Sequence, residues 1–281
     1  DHAGPGPAHP RAHVLHARTL ELLRAVGLQD EVIHRMPPLE QWKHFRYCST
    51  LLGDEFLSVD HFDDPGYANL QQNSPAQGIA HLMQPELETM LQREARRYEE
   101  GGLASFLNSF ECTQLHTQCP TSHHVVADFI RTDGCASHLQ VKARFLISAD
   151  GAHSRIRSQC RIAVQGEPCL EDFVSIHFHC PGLWQLMGPD RGAMLYFVFN
   201  STQVAVVIAH DMCKGEYVAQ VPYFKPIESI SDFTEERCCN LIQSIIGASD
   251  VPFTIRSIRG WEMHAYVAER FRDGNVFLIG D

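Results

Sequence analysis

Two short apolar runs, each ending in a glycine–aspartate pair, constrain this chain more than anything else in it. Leu146-Ile147-Ser148-Ala149 leads into Asp150-Gly151, and Val276-Phe277-Leu278-Ile279 leads into Gly280-Asp281. Runs of this length and composition read as strands buried in a parallel sheet. In an open α/β sheet, ligands gather at the carboxyl ends of such strands. A glycine there lets the backbone take a positive φ or come close to a ligand. An aspartate can accept hydroxyls, and the amides after it can face a phosphate. Taken singly, each pair is only a turn, with Ser154 as the cap of a short helix behind the first.

Hydrophobic periodicity supplies the surroundings. Residues 14–26 predict an amphipathic helix with Leu15, Leu22, Leu23 and Val26 on one face. Gly27 stands just past its end, where Leu28 can close a Schellman contact. Residues 85–98 predict a second helix. Proline stands in its first turn, Glu86 and Glu88 suit its positive end, and Arg93, Arg96 and Arg97 suit the other. Its expected buried stripe is Leu87, Met90, Leu91, Ala95 and Tyr98. A third helix is expected over 233–246, capped by Thr234. Strands are expected over 42–47, 55–59, 125–131, 139–149, 173–179, 193–199, 203–210, 255–267 and 276–279. On the strand 193–199, Met194, Tyr196 and Val198 share one face and read as core. The pattern is α/β, with an α+β, strand-rich stretch near 165–265 and a return to the first layer at the end.

Charge and composition close off several functions. Lys plus Arg is 23 against 34 Asp plus Glu, a net charge of −11, which argues against nucleic acid as a partner. The longest apolar runs, such as 204–209, fall far short of the roughly 20 residues of a spanning helix, so no transmembrane segment is expected. The ten cysteines include no C-x-x-C, and the vicinal pair Cys238-Cys239 does not make an ordinary bridge. They read as reduced thiols of an intracellular, reducing compartment. Seventeen histidines include the groups His9/His13/His16, His123-His124 and His177-x-His179. None shows a full ligand set, so no metal is expected. Asp1 is not a methionine, and the last strand stops at the chain's end, so the chain reads as an internal piece of a longer protein.

Two further segments carry chemistry. In Pro10-Arg11-Ala12-His13-Val14-Leu15-His16-Ala17-Arg18-Thr19-Leu20-Glu21-Leu22-Leu23-Arg24, Arg11 stands ahead of a helix, where a guanidinium can pair with a diphosphate. In His81-Leu82-Met83-Gln84-Pro85-Glu86-Leu87-Glu88, Gln84 stands at a helix start. In this order, the four segments resemble those of the FAD-dependent aromatic hydroxylases of the para-hydroxybenzoate hydroxylase type. The first is most similar to the phenol-hydroxylase and chlorophenol-hydroxylase branch.

The resemblance implies a Rossmann-like FAD-binding domain, incomplete here, over 1–35, 81–165 and 268–281. A β-rich substrate-binding domain would be inserted over 36–80 and 166–267. It implies that Arg11 lies near the flavin diphosphate and the nicotinamide cofactor, and that Gln84 touches the ribityl–diphosphate region. Asp150 and Gly151 would serve FAD and NAD(P)H together. Asp281 would hold a ribityl hydroxyl, with Gly280 beside it in the cofactor-binding Gly-Asp motif, so that Asp150 and Asp281 meet from the tips of neighbouring strands. His13 falls where the branch can carry a catalytic aspartate, and an imidazole there could accept a phenol proton. The implied activity is hydroxylation of a small aromatic, phenol-like substrate with NAD(P)H and O2, with room for an oligomer. The alternatives are a flavoprotein of the same superfamily with other chemistry, and a truncated binding domain without catalysis. The family's G-x-G-x-x-G loop, which anchors the FAD diphosphate, has no counterpart in this sequence. Gly4-Pro5-Gly6-Pro7 cannot replace it because prolines lack amide donors.

Overall fold

A computed structural model describes residues 9–74, 78–116, 124–134 and 137–280. In chain order the first elements are β1 (Val14–Leu15), α1 (Ala17–Ala25), α2 (Gln29–Arg35), β2 (His44–Cys48), β3 (Glu55–Asp60), α3 (Pro65–Asn73), β4 (Ala80–His81) and α4 (Gln84–Glu100). Next come β5 (Phe110–His116), β6 (Val125–Arg131), β7 (His138–Ala143), β8 (Leu146–Ser148), α5 (Arg155–Gln159), β9 (Val164–His179) and α6 (Leu183–Met187). The last are β10 (Leu195–Phe199), β11 (Val204–Asp211), β12 (Glu216–Tyr223), α7 (Glu235–Ile246), β13 (Thr254–Ala268), β14 (Arg272–Asp273) and β15 (Val276–Leu278). The chain divides into two compact units, one from Glu99–Leu170 and His264–Asp281, the other from Ala3–Tyr98 and Glu171–Met263.

The larger unit is built on a sheet in the order β13-β9-β12-β11-β10-β2-β3. One face carries Val174, Ile176, Phe178, Tyr196, Val198, Val207 and Tyr217, and packs on Ile242, Ile245 and Ile246 of α7. Thr234 caps that helix by accepting from the Arg237 amide. Burying one such isoleucine stabilises the fold by roughly 1.5–3 kcal/mol. Tyr196 and Val198 are core, as their alternation predicts. Asn200 closes the β10–β11 turn, its side-chain oxygen accepting from the amides of Thr202 and Gln203.

A second cluster in this unit joins Leu20, Leu23, Leu28, Val32 and Met90. Here the sequence reading needs correction. Val14 and Leu15 do not begin the helix but pair as β1 with β4, and α1 starts at Ala17. The buried stripe is therefore set by Leu20 and Leu23, leaving Leu22 and Val26 exposed. The Schellman end is present: the Leu28 amide donates to Leu23 O and the Gly27 amide to Arg24 O. Along α4 only Met90 is fully buried, and Leu91 and Tyr98 face outward.

In the smaller unit, β5-β6-β7 is an antiparallel sheet and β14-β15-β8 a mixed one, antiparallel between β14 and β15 and parallel between β15 and β8. The strand expected over 139–149 is two strands in different sheets. The hand-over lies at Arg144, whose carbonyl accepts from the Asn275 side chain while the Leu146 amide donates to Asn275 O. Leu115, Val125, Ala127, Ile156, Cys160, Ile162 and Val276 form its core. The described cysteines, Cys238 and Cys239 included, are free thiols. Among the described residues no helix is long and apolar enough to cross a membrane.

Candidate functional site

In the smaller unit the two strand tips lie side by side. β8 and β15 are parallel, with Val276 opposite Leu146 and Leu278 opposite Ser148, and the Ile279 amide donates to Ser148 O. The two chains thus leave the sheet together, one into Asp150-Gly151 and the other into Gly280. Asp281 lies outside the described residues, as do Gly4-Pro5-Gly6-Pro7 and His123. Gly151 and Gly280 both have positive φ, 78° and 83°, and neither would bring an added Cβ within 4 Å of another atom. The tips are therefore backbone bends that open onto free space.

Asp150 is held from three sides. Ser148 Oγ donates to its Oδ1, and the amides of Arg155 and Ile156 donate to its Oδ2 at 2.9 and 3.3 Å. Burial pushes the carboxyl up, but the hydrogen bonds from Ser148, Ser154 and the Ile156 amide outweigh it and hold the group below its ordinary value. It is an anion at neutral pH with acceptor capacity left over. Ser154 is the N-cap of α5, accepting from the Arg157 amide at 2.9 Å. The first three amides of α5 are thus taken up by Asp150 and Ser154.

In the larger unit the segments around Arg11 and Gln84 come together. The Leu82 amide donates to His13 O, the Gln84 amide donates to Ala12 O, and Val14 pairs with His81. Gln84 begins α4. Its amide nitrogen donates to Glu88, while its Oε1 is buried without a hydrogen-bond partner. A buried acceptor left unpaired is costly, so this oxygen has a hydrogen bond still to accept.

His13 sits in a cluster of imidazoles. Its Nδ1 is 3.1 Å from His81 Nδ1, and its ring meets that of His210 edge-on at 5.3 Å. His81 Nε2 faces only the carbonyls of Ala209 and His210, each at 3.0 Å. Burial lowers the pKa of His81, so its ring is neutral, its proton is on Nε2 and its Nδ1 is an acceptor. His13 must then present Nδ1–H to His81, which leaves its Nε2 as a bare lone pair. Burial, with His81 nearby, brings His13 down to about 3. His210 is likewise pushed well down by burial, and both of its ring nitrogens lack partners.

Beside this cluster is a cavity of about 380 Å³ lined by His9, Pro10, Arg11, Ser175, Gln220, Arg259, Gly260 and Trp261. His9 bridges two serines, Nδ1 to Ser257 Oγ and Nε2 to Ser175 Oγ, both at 2.7 Å. The Gln220 amide donates to Ser175 Oγ at 3.0 Å, and Trp261 Nε1 donates to Gln220 Oε1 at 2.7 Å. Arg11 was singled out by its motif. Ser175, Gln220, Arg259 and Trp261 were not, and the one local hint was Ser175-x-His177-x-His179, a polar face on an otherwise apolar strand. His177 is engaged by Glu216 at 2.7 Å. Among the described residues no group of three or more side chains could hold a metal ion.

Three kinds of comparison bear on this geometry. The family model described as an FAD binding domain matches residues 4–281. The aklavinone 12-hydroxylase of Streptomyces purpurascens is 30% identical over 286 residues, covering 97% of this chain and 50% of that protein. The 2,4-dichlorophenol 6-monooxygenase of Delftia acidovorans is 25% identical over 97% of this chain and 46% of its own length. The structure of a ternary complex of aklavinone-11 hydroxylase with FAD and aklavinone superposes with a TM-score of 0.85 at 28% identity, over 99% of this chain and 51% of that one. The chain spans about half the length of the curated relatives it matches.

Proposed function

We propose, for a chain that belongs to the FAD binding domain family, that it is the flavin- and ring-binding part of a monooxygenase that hydroxylates phenol-like aromatic substrates. The observation that carries this reading is the pair of parallel strand tips, Asp150-Gly151 and Gly280, opening together onto free space. The residues suit the flavin: an anionic acceptor at Asp150, glycine bends that admit close approach, and an unpaired buried oxygen on Gln84. FAD, reduced by NAD(P)H, would supply the oxygen chemistry.

In this proposal Asp150 and Asp281 accept ribityl hydroxyls, with Gly151 and Gly280 clearing their path. Arg11 and Gln84 serve the diphosphate side, and Arg11 also the nicotinamide cofactor. Residues 1–35, 81–165 and 268–281 act as the FAD-binding domain, and 36–80 with 166–267 as the substrate-binding one. His13 orients a substrate hydroxyl through its bare Nε2. With a pKa near 3 it accepts a hydrogen bond at neutral pH without retaining the proton. The free thiols suit a reducing compartment.

The test uses the longest protein that carries this chain. FAD should bind with quenched flavin fluorescence, and NAD(P)H should drive O2 uptake and ring hydroxylation. Asp150→Asn should weaken FAD binding tenfold or more with the circular dichroism unchanged. Absence of bound flavin in that protein would remove the reading, and unchanged FAD affinity in the variant would remove the role of Asp150.

A further inference from the structure

We propose that His210 carries protons: through buried water it takes the proton of a bound hydroxyl from the His13 end of the imidazole cluster and hands it to the His177–Glu216 pair. The inference rests on the reading of His13 as the residue that meets a substrate hydroxyl, and adds the route by which the proton leaves.

The strand itself singles this residue out. The β11–β12 register shifts between Ala209 and Asp211, so His210 is the extra residue of a bulge. A bulge re-aims a side chain. His81 Nε2–H is aimed at both carbonyls of the bulge, Ala209 O and His210 O. Trp42 stacks on the His81 ring, with centroids 5.5 Å apart and planes 20° apart, and so fixes that pin. Among the described buried imidazoles, His210 alone has both ring nitrogens without a protein partner. His9 gives both of its nitrogens to serines, His81 stands between His13 and the two carbonyls, and His177 gives Nε2 to Glu216. Buried polar atoms that lack a protein partner are satisfied by water or a ligand. His210 supplies two such atoms and His177 Nδ1 a third. His177 is opposite Val218, and Val218 opposite Ile208, two residues before the bulge. Glu216, which engages His177, is opposite Asp211, the residue after it. His210 is within electrostatic reach of both His13 and His177.

Hydrogen-bond directions decide the route. A proton received at His13 Nε2 cannot go on through the other side of the ring. Its Nδ1–H meets His81, whose Nε2–H ends on carbonyls that take no proton further. The proton therefore leaves by Nε2, to water shared with His210, whose ring lies edge-on at 5.3 Å. His210 accepts a proton at one nitrogen and releases the one on the other, so its ring ends neutral. At His177, Nδ1 accepts and the Nε2 proton passes to the Glu216 carboxylate at 2.7 Å. Glu216 is also paired with Arg256 at 2.8 Å, and its side chain keeps 13% exposure, which opens the route to solvent. One O–H bond breaks, an oxyanion stays behind and one proton reaches solvent; nothing is oxidised or reduced. Burial pushes His210 well below the ordinary imidazole value, so the ring does not keep the proton that it carries.

The test uses 4-nitrophenol, whose anion is yellow, bound to the longest protein that carries this chain, without NAD(P)H so that nothing turns over. After a stopped-flow jump from mildly acid to mildly alkaline buffer, the bound phenol should turn yellow before it can dissociate. His210→Gln keeps a donor and an acceptor for the water but cannot pass a proton, and it should slow the colour change by roughly tenfold or more. His210→Ala should be as slow, and added imidazole should restore its rate. An unchanged rate in either variant, or no binding of 4-nitrophenol, would overturn the proposal. So would a slow His210→Ala that imidazole does not speed. Should both variants fail to fold, the wild type decides through its rate in mixtures of light and heavy water. A curved dependence on deuterium content, from several protons moving together, is expected, and a straight line would overturn the route. A protein that ionises 4-nitrophenol through His210 but never hydroxylates would lose the hydroxylase reading alone.

Discussion

Acidification between pH 7 and pH 5 should destabilise the larger unit, and His13 fixes the size of the effect. An imidazole in the unfolded chain takes up its proton near 6.5, whereas buried His13 does so only near 3. Through this window the unfolded state binds more protons than the folded one, so stability falls with the pH. The stabilisation from keeping His13 neutral is complete above 6.5 and is lost as the pH drops toward 3. Integrated from pH 7 to pH 5, the loss is about 2 kcal/mol for this one residue. His81 and His210, both lowered by burial, act with the same sign, so that figure is a floor. Asp150 titrates below the window, because its folded carboxyl lies under its ordinary value. Urea unfolding followed by tryptophan fluorescence reads the right unit, since Trp42, Trp184 and Trp261 all belong to it with His13. At a typical slope near 2 kcal/mol per molar urea, the midpoint should fall by roughly 1 M. His13→Asn should flatten the dependence by the His13 share. If that variant is too unstable to measure, NMR titration of the wild-type histidines replaces it, and the His13 ring should remain neutral down to pH 5. Flat wild-type stability over the window, or a His13 signal titrating near 6.5, would refute the reasoning.

Two smaller perturbations test the packing. Ile242→Ala removes a fully buried side chain between α7 and the sheet and should cost about 2–5 kcal/mol in the same urea assay. Ser154→Ala deletes the α5 cap and should cost about 1 kcal/mol, with faster hydrogen exchange at the Arg157 amide.

Legibility in this sequence follows how far apart the interacting residues are along the chain. Gly27 and Leu28 end α1, Thr234 caps α7, and Asn200 makes its turn through contacts within a few residues, so their chemistry is written locally. The strand tips are legible for the same reason: Ser148, Asp150, Ser154 and the α5 amides are neighbours in sequence. Errors begin where a tertiary partner decides. Val14 and Leu15 fit a helical period, yet β4 claims them as a strand, which rotates the buried face of α1 to Leu20 and Leu23. β12 was not anticipated: Tyr217, Val218, Ala219 and Val221 are buried together, so no clean alternation survives, and Pro222 argues against a strand. The helix α3 hides in a segment rich in asparagine and glutamine, Tyr67-Ala68-Asn69-Leu70-Gln71-Gln72-Asn73, which has no strong apolar stripe.

In the second half of the candidate site the segments of Arg11, His13 and Gln84 stand out in the sequence, but their partners do not. His9 reaches Ser175 and Ser257 across separations of 166 and 248 residues, and His13 reaches His81 across 68. In sequence, His9, His13 and His16 look like one cluster that invites a metal. In space, His9 belongs to a serine-bridged network at a cavity, and His13 to a set of imidazoles held by β4 and the bulge of β11. The same folding hides the charge: a net −11 suggests an acidic surface throughout, yet the two arginines at the cavity meet no carboxylate among its lining residues. A cluster made at one strand tip can be read from a dozen consecutive residues, whereas a cavity assembled from β9, β12, β13 and the stretch before β1 exists only once the sheet has formed.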